Sequence, residues 1–133
     1  MVDNLSREKR SKVMSSIRGK NTKPEIIVRR LLWSNGFRYR IHNKKVSGTP
    51  DISNKSKKIA IFIDGCFWHG CSTCYKEPRT NAEYWRNKIA RNKKRRVLVT
   101  KNLLADDWKI LEFWEHQVIQ EPKVVAKEIS RFL

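Results

Sequence analysis

The chain has 133 residues, a length that suits one hydrophobic core and leaves no room for a second domain. Lysine and arginine number 30 against 13 acidic residues, so the formal net charge is +17 at pH 7. Such a charge attracts polyanions, and nucleic acid is the commonest soluble one. A membrane is the weaker candidate partner, because no stretch is apolar enough to span a bilayer and the basic residues are spread over several segments.

The first part of the chain is predicted to be a basic N-terminal arm at residues 1–20, followed by a folded domain at residues 21–133. Ser6 can cap a short helix there, but the helix has too few apolar side chains to be buried deeply. These side chains are Val13, Met14 and Ile17. The arm is either a solvated tail or a segment that lies along the phosphate backbone of DNA.

Patterns in the first half of the domain predict one helix and three strands. The helix begins near Pro24, which suits the first turn of a helix, and ends at Asn35 and Gly36. The first predicted strand lies at 37–41, the second begins around Pro50, and the third lies at 59–63. A turn at 54–58 joins the last two. The last of these is a continuous apolar run, which is typical of a central strand buried on both faces.

The second half is predicted to contain a long helix, a strand and a closing helix. These elements run from Asn81 to about Leu104, over 108–114, and from Pro122 through Phe132. The predicted apolar side of the long helix consists of Trp85, Ile89, Val97 and Leu103 or Leu104. Seven residues between Arg86 and Arg96 are basic and none is acidic, which favours phosphate contacts over a merely solvated face. We therefore expect a single α/β domain with a mixed central sheet flanked by helices.

All three cysteines follow the apolar run that ends at Ile63, with the spacing Cys66-x4-Cys71-x2-Cys74. The last pair matches the C-x-x-C arrangement that binds zinc through two thiolates. The fourth ligand is either His116, which follows another apolar run, or His69 inside the cluster. A disulfide with one free thiol is the alternative, but we see no signal peptide and expect a cytoplasmic location, which favours zinc.

Acidic side chains next to two predicted strands suggest a second metal. Asp51 begins one strand and Asp64 ends the next, and Mg²⁺ needs only one or two carboxylates together with substrate phosphate. Asp51 can instead shape a turn. His69 can orient water or move a proton near neutral pH if it is not a zinc ligand. Glu25 at a helix start is explained by the helix dipole alone.

Two aromatic residues, Phe67 and Trp68, stand beside the cysteines. On a strand they would face opposite sides, so burial of both is not expected. Exposed aromatic side chains can enter a base step of DNA, and a mismatched step is easier to open than a paired one.

Four segments resemble the very short patch repair endonucleases, the Vsr family. They are Gly48-Thr-Pro-Asp51, Phe62-Ile-Asp-Gly-Cys-Phe-Trp-His69, the stretch from Asn81 to Asn92, and Phe113-Trp-Glu-His116. The resemblance covers nearly the whole chain. It implies a zinc-stabilised PD-(D/E)xK nuclease fold that nicks double-stranded DNA on the 5′ side of the thymine in a T:G mismatch, the product of 5-methylcytosine deamination.

The resemblance also implies roles for individual residues. Asp51 and the backbone carbonyl of Ile63 would bind catalytic Mg²⁺, His69 would assist the attacking water or the phosphate, and Glu25 would hold water on the metal. The structural zinc would be bound by Cys66, Cys71, Cys74 and His116. The side chains that open the duplex would be Phe67, Trp68 and Trp85 from the major groove and Met14 from the minor groove.

Asp64 departs from the family pattern, which has a histidine there in a well-known member. We expect this carboxylate to bind Mg²⁺ or orient water. The expected enzyme is a monomer that acts on T:G-mismatched DNA before downstream repair proteins. The alternatives are a zinc-stabilised DNA-binding module without catalysis and a related nuclease with a different DNA substrate.

Overall fold

The computed structural model describes residues 21–132, so the predicted arm at 1–20, with Met14 and Ser6, lies outside the described residues. In chain order the elements are α1 (Lys23–Ser34), β1 (Arg40–Ile41), β2 (Ile52–Asn54), β3 (Ile59–Asp64), α2 (Ala82–Ala105), β4 (Lys109–Trp114), α3 (Glu115–Gln120) and α4 (Pro122–Ser130). No helix within this part of the chain has the length and apolar character required to cross a membrane.

The strands within the described residues form one mixed sheet in the order β1-β2-β3-β4. The pairs β1-β2 and β2-β3 are antiparallel, whereas β3 and β4 are parallel, with Ile59 opposite Lys109 and Asp64 opposite Trp114. Parallel neighbours need a long crossover, and α2 provides it. The predicted mixed sheet flanked by helices is confirmed.

Strand β3 separates two hydrophobic clusters, because successive side chains of a strand point to opposite faces. Ile59, Ile61 and Ile63 face the cluster that includes Val28 of α1 and Ile129 of α4. Ala60 and Phe62 face the other cluster, which contains Val46, Leu103 and Trp108. By the same alternation Asp64 lies on the α2 face of the sheet. The acidic side chain of β3 therefore faces this basic helix.

The structure differs from the predicted elements in strand β1 and in helix α3. The strand predicted at 37–41 is reduced to Arg40–Ile41, because Phe37 is bonded through its N–H to the carbonyl of Leu32 at the end of α1. A helix, α3, follows β4 directly and was not predicted, since its six residues are too few to show a periodic pattern. His116 therefore lies in the first turn of a helix rather than at a strand end.

The buried side of α2 differs from the predicted one. Ile89 is buried as expected, and of the alternatives Leu103 and Leu104 it is Leu103 that is buried. Val97 is 71% exposed, so the prediction for Val97 was wrong. The inward stripe instead runs through Ile89, Asn92, Arg96, Val99 and Leu103. Asn92 and Arg96 interrupt this apolar stripe where the helix passes the end of β3. A pattern based on apolar residues alone therefore placed Val97 on the inward side.

The central position of β3 gives a stability prediction. Ile61 is fully buried, and its replacement by alanine should lower the free energy of unfolding by about 2–5 kcal/mol through lost burial and the cavity left behind. The matched control is Val97→Ala, which removes exposed methyl groups and should change stability by less than about 0.5 kcal/mol. Urea unfolding followed by circular dichroism measures both, and equal effects would contradict this account of the core.

Candidate active site and metal centre

Asp51 lies at the start of β2, on the wall of a cleft of about 330 Å³. The N–H of Ile63 donates to its Oδ2 at 2.7 Å, which fixes the carboxylate beside the end of β3. The cleft is also lined by four other predicted site residues or their neighbours, namely Glu25, Asp64, Trp68 and His69. The fold therefore brings together residues that are up to 44 positions apart in the sequence.

Glu25 is almost completely buried, with 1% exposure, at the start of α1. Its Oε2 accepts hydrogen bonds from the N–H of Asn21 at 2.9 Å and from Nη2 of Arg29 at 2.8 Å. A residue that served only the helix dipole would not need burial or an arginine partner. Glu25 is thus held in one position inside the cleft.

His42 is a member of the site that the sequence reasoning missed. Its Nε2 is 3.1 Å from Oε2 of Glu25 and 3.9 Å from Oδ1 of Asp51. Its backbone has a φ of 46°, which is uncommon for a residue other than glycine. One donor atom from each of Glu25, His42 and Asp51 lies within 4.8 Å of the others, so the three can hold a metal ion. The sequence indicated a role for His42 only in that the chain has three histidines.

The electrostatics of Asp51 favour a bound cation. Burial raises the pKa of Asp51 to about 7, and the nearby carboxylates of Glu25 and Asp64 act in the same direction, while the N–H of Ile63 opposes them. Two carboxylates in one partly closed cleft repel each other when both are ionised. A divalent cation between them removes this repulsion, and its oxygen-rich surroundings suit Mg²⁺.

His69 follows the aromatic pair and faces Asp64, with 3.7 Å between Nε2 and the Oδ1 atom. Burial lowers the pKa of His69, although Asp64 acts in the opposite direction. A lowered pKa keeps the imidazole neutral at physiological pH, and a neutral imidazole can accept a proton. His69 is on the same cleft as Asp51, but it is not part of the cysteine cluster described next.

The second cluster consists of Cys66, Cys71, Cys74 and His116. The three sulfurs are 3.3, 3.7 and 3.5 Å from Nδ1 of His116. A tetrahedral ion at about 2.3 Å from sulfur and 2.0–2.1 Å from nitrogen places each sulfur about 3.6 Å from the nitrogen. The four side chains therefore fit a closed tetrahedral site. All three cysteines are free thiols, so the disulfide alternative finds no support here.

Phe67, Trp68 and Trp85 form one aromatic cluster. The ring centroids of Phe67 are 5.3 Å from Trp68 and 5.2 Å from Trp85, and those of Trp68 and Trp85 are 6.0 Å apart. Phe67 and Trp68 lie in a turn rather than on a strand, so both can face the same side, contrary to the strand-based expectation. The Nε1 of Trp68 is buried without a hydrogen-bond partner among residues 21–132.

The basic run of α2 contains two kinds of residue. Arg86 pairs with Glu77 at 2.8 Å, and Arg96 pairs with Asp64 at 2.6 Å, so these two are held by the protein itself. Lys88 and Arg95 line the cleft and have no ion pair within the described residues. The phosphate contacts of this run stay a prediction, and the pair with buried Asp64 makes Arg96 less available for such a contact than its neighbours.

Comparison with known proteins identifies the family. A family model described as DNA mismatch endonuclease Vsr matches residues 2–76, more than half of the chain. The chain belongs to the Vsr family of DNA endonucleases. It is 39% identical over 133 residues to the type II nicking enzyme V.HpaIIP of Haemophilus parainfluenzae, covering 98% of this chain and 94% of that protein. The DNA mismatch endonuclease Vsr of Escherichia coli is 33% identical over 135 residues, with 100% and 86% covered.

The geometry of the cysteine cluster gives a prediction about metal content. Purified protein should contain a single tightly held ion that His116→Ala loses and His69→Ala retains, because only His116 lies against the three sulfurs. Structural zinc contributes roughly 10 kcal/mol or more to folding, so chelation should also lower the melting temperature strongly. Elemental analysis and thermal melting test this. Retention of the ion by His116→Ala together with its loss from His69→Ala would assign the fourth ligand to His69.

Proposed function

We propose that this Vsr-family endonuclease nicks one strand of double-stranded DNA on the 5′ side of the thymine in a T:G mismatch. The cut begins a very short patch repair that downstream repair proteins complete. The observation that carries the proposal is the arrangement of one cleft, in which Asp51, Glu25 and His69 lie beside Trp68 of the aromatic cluster. The mismatch endonuclease of Escherichia coli, to which the chain is similar over its whole length, supports the same substrate.

A PD-(D/E)xK-type magnesium site is the arrangement we propose for the chemistry. Asp51 and the backbone carbonyl of Ile63 would bind Mg²⁺. The 2.7 Å hydrogen bond from the N–H of Ile63 to Oδ2 of Asp51 supports this, because it joins the two residues. Such an ion stabilises the charge of the reacting phosphate and lowers the pKa of an attacking water. Glu25, fixed by Arg29, would orient water at this end of the cleft.

The remaining groups of the cleft have separate tasks in this proposal. His69, kept neutral by burial, would accept a proton from the attacking water or assist the phosphate. Lys88 and Arg95 would bind the phosphates on either side of the cut, because they line the cleft and their charges are free within the described residues. Different residues would thus bind the DNA and transfer the proton.

The aromatic cluster is proposed to select the mismatch. Phe67, Trp68 and Trp85 would enter the duplex from the major groove, and Met14 of the arm would enter from the minor groove. Opening a base step costs a few kcal/mol, and it costs least where the bases are mismatched.

Zinc is the ion that we propose for the cluster of three cysteines and His116. Three thiolates and an imidazole in a closed tetrahedral arrangement are typical of structural zinc. The ion would join the turn that carries the aromatic residues to the start of α3. It would therefore hold His69 and Trp68 in place without taking part in the reaction. A monomer suffices for this mechanism, since every proposed residue comes from one chain.

Nicking of defined duplexes tests the proposed reaction. With Mg²⁺ the wild-type protein should nick a T:G duplex 5′ of the thymine faster than U:G, other mismatched or fully paired duplexes. Asp51→Asn should still bind DNA but cut more than about 100-fold more slowly, because even indirect metal contacts are worth about 10–100-fold. Asp107→Asn is the matched control, since Asp107 is exposed and its positive φ suits asparagine.

Three outcomes of this experiment are decisive. Binding without any cutting would favour the DNA-binding module that lacks catalysis. Cutting of fully paired DNA at a particular sequence would favour a nuclease with another substrate, which the names of several relatives as type II nicking enzymes make the second candidate. Equal cutting by the wild type and Asp51→Asn would remove Asp51 from the mechanism.

The aromatic cluster yields a prediction on specificity. Trp68→Ala should reduce the preference for T:G over paired DNA more than it reduces general affinity, because phosphate contacts supply most of the non-specific binding. The control is Trp33→Ala, which removes a half-exposed tryptophan that lies outside the cluster. Fluorescence anisotropy with mismatched and paired duplexes measures both affinities. A parallel loss on both duplexes would argue against an inserted ring.

A further inference from the structure

Asp64 and Arg96 form the closest ion pair in the cleft. Nη2 of Arg96 is 2.6 Å from Oδ1 of Asp64, and Nη1 is 2.8 Å from Oδ2, so the two groups meet in the bidentate arrangement that fixes both planes. Asp64 is buried, and the side chain of Arg96 is 17% exposed. The sequence reasoning expected Asp64 to bind Mg²⁺ or orient water.

Arg96 is itself held on two further sides. Its Nη1 is 3.2 Å from Oε2 of Glu112 on β4, and its guanidinium lies 4.1 Å from the centroid of the Phe62 ring. Two carboxylates therefore neutralise its charge, which leaves little attraction for a DNA phosphate. Both oxygens of Asp64 are occupied in turn, which leaves this carboxylate poorly placed to bind a cation. The group that can hold an ion here contains Glu25, His42 and Asp51 without Asp64.

The same face of α2 also contacts the turn that carries His69. One helical turn before Arg96, Nδ2 of Asn92 donates to the carbonyl of Trp68 at 2.8 Å. The helix also approaches Gly70 so closely that a Cβ there would lie 2.7 Å from Ile89. Contacts with α2 thus precede and follow His69, and Oδ1 of Asp64 is the acidic atom that its imidazole faces at 3.7 Å.

We propose that Arg96 is a positioning residue of the nicking reaction, which acts through Asp64 to fix the imidazole of His69, and that Asp64 is not a metal ligand. This inference rests on the proposed function, because it assigns His69 a part in the reaction. It explains why a long basic helix turns one arginine inward. It also replaces the expected role of Asp64 in binding Mg²⁺ by an orienting role.

The test compares Arg96 with an exposed arginine that lies outside the cleft. Arg96→Gln should lower the single-turnover nicking rate by about 10- to 100-fold, as small displacements of reacting groups do, while the Kd for DNA stays within about 2-fold. Arg131→Gln is the control, since it removes an exposed arginine that follows α4 and does not line the cleft, and it should leave the rate unchanged. The substrate is whichever duplex the wild type cuts, so an error in the T:G assignment does not affect the result.

Two further variants separate positioning from folding and from metal binding. Arg96→Lys keeps the positive charge but cannot form the bidentate contact, so it should fold, by thermal melting, and still cut slowly. Asp64→Asn should bind Mn²⁺ as the wild type does in electron paramagnetic resonance titrations, whereas Asp51→Asn should not. The Mn²⁺ titration does not require DNA cutting, so its result can be interpreted even if the proposed function is wrong.

Each result decides for or against the inference. A folded Arg96→Lys or Arg96→Gln that cuts at the wild-type rate would overturn the positioning role. Loss of Mn²⁺ binding in Asp64→Asn to the same degree as in Asp51→Asn would make Asp64 a cation ligand and overturn the second claim.

Discussion

Two carboxylates in one cleft, those of the buried Glu25 and the partly buried Asp51, are the constraint on which the rest of the site depends. Their proximity is unfavourable unless positive charge lies nearby. Arg29 supplies it for Glu25, and a divalent cation would supply it for Asp51, whose pKa is raised to about 7 by burial. The two carboxylates lie close together because the start of β2, the end of β3 and the start of α1 meet at this cleft. Asp51 has no lysine or arginine partner among residues 21–132, so it is well suited to bind a cation that also contacts a phosphate.

In the proposed function, the turn that follows β3 presents both aromatic rings and an imidazole to DNA, although it contains no helix or strand. It is held from two sides. On one side Cys66, Cys71, Cys74 and His116 join it to the start of α3. On the other side Asn92 and Arg96 of α2 bind its backbone and the preceding carboxylate. A turn held from two sides can position residues that an unsupported loop would leave poorly defined.

Much of this architecture was predictable from the sequence. The run 59–63 marked the central strand, and the cysteine spacing marked the metal cluster, because both patterns are local. The inward position of Arg96 was not predictable, since a basic residue in a basic run gives no sign of an acidic partner 32 positions away. His42 escaped notice for the same reason, as its contact with Glu25 spans 17 positions. Long-range polar contacts leave no periodic pattern in a sequence.

The most direct test of the central claim is a crystal structure of the protein with Mn²⁺ and an uncut duplex, with the ion located by its anomalous scattering. The account predicts an anomalous peak at the carboxylate of Asp51 and the carbonyl of Ile63, with Asp64 still paired to Arg96. A peak coordinated by Asp64, or an Asp51 carboxylate that points into solvent with no ion beside it, would contradict the account.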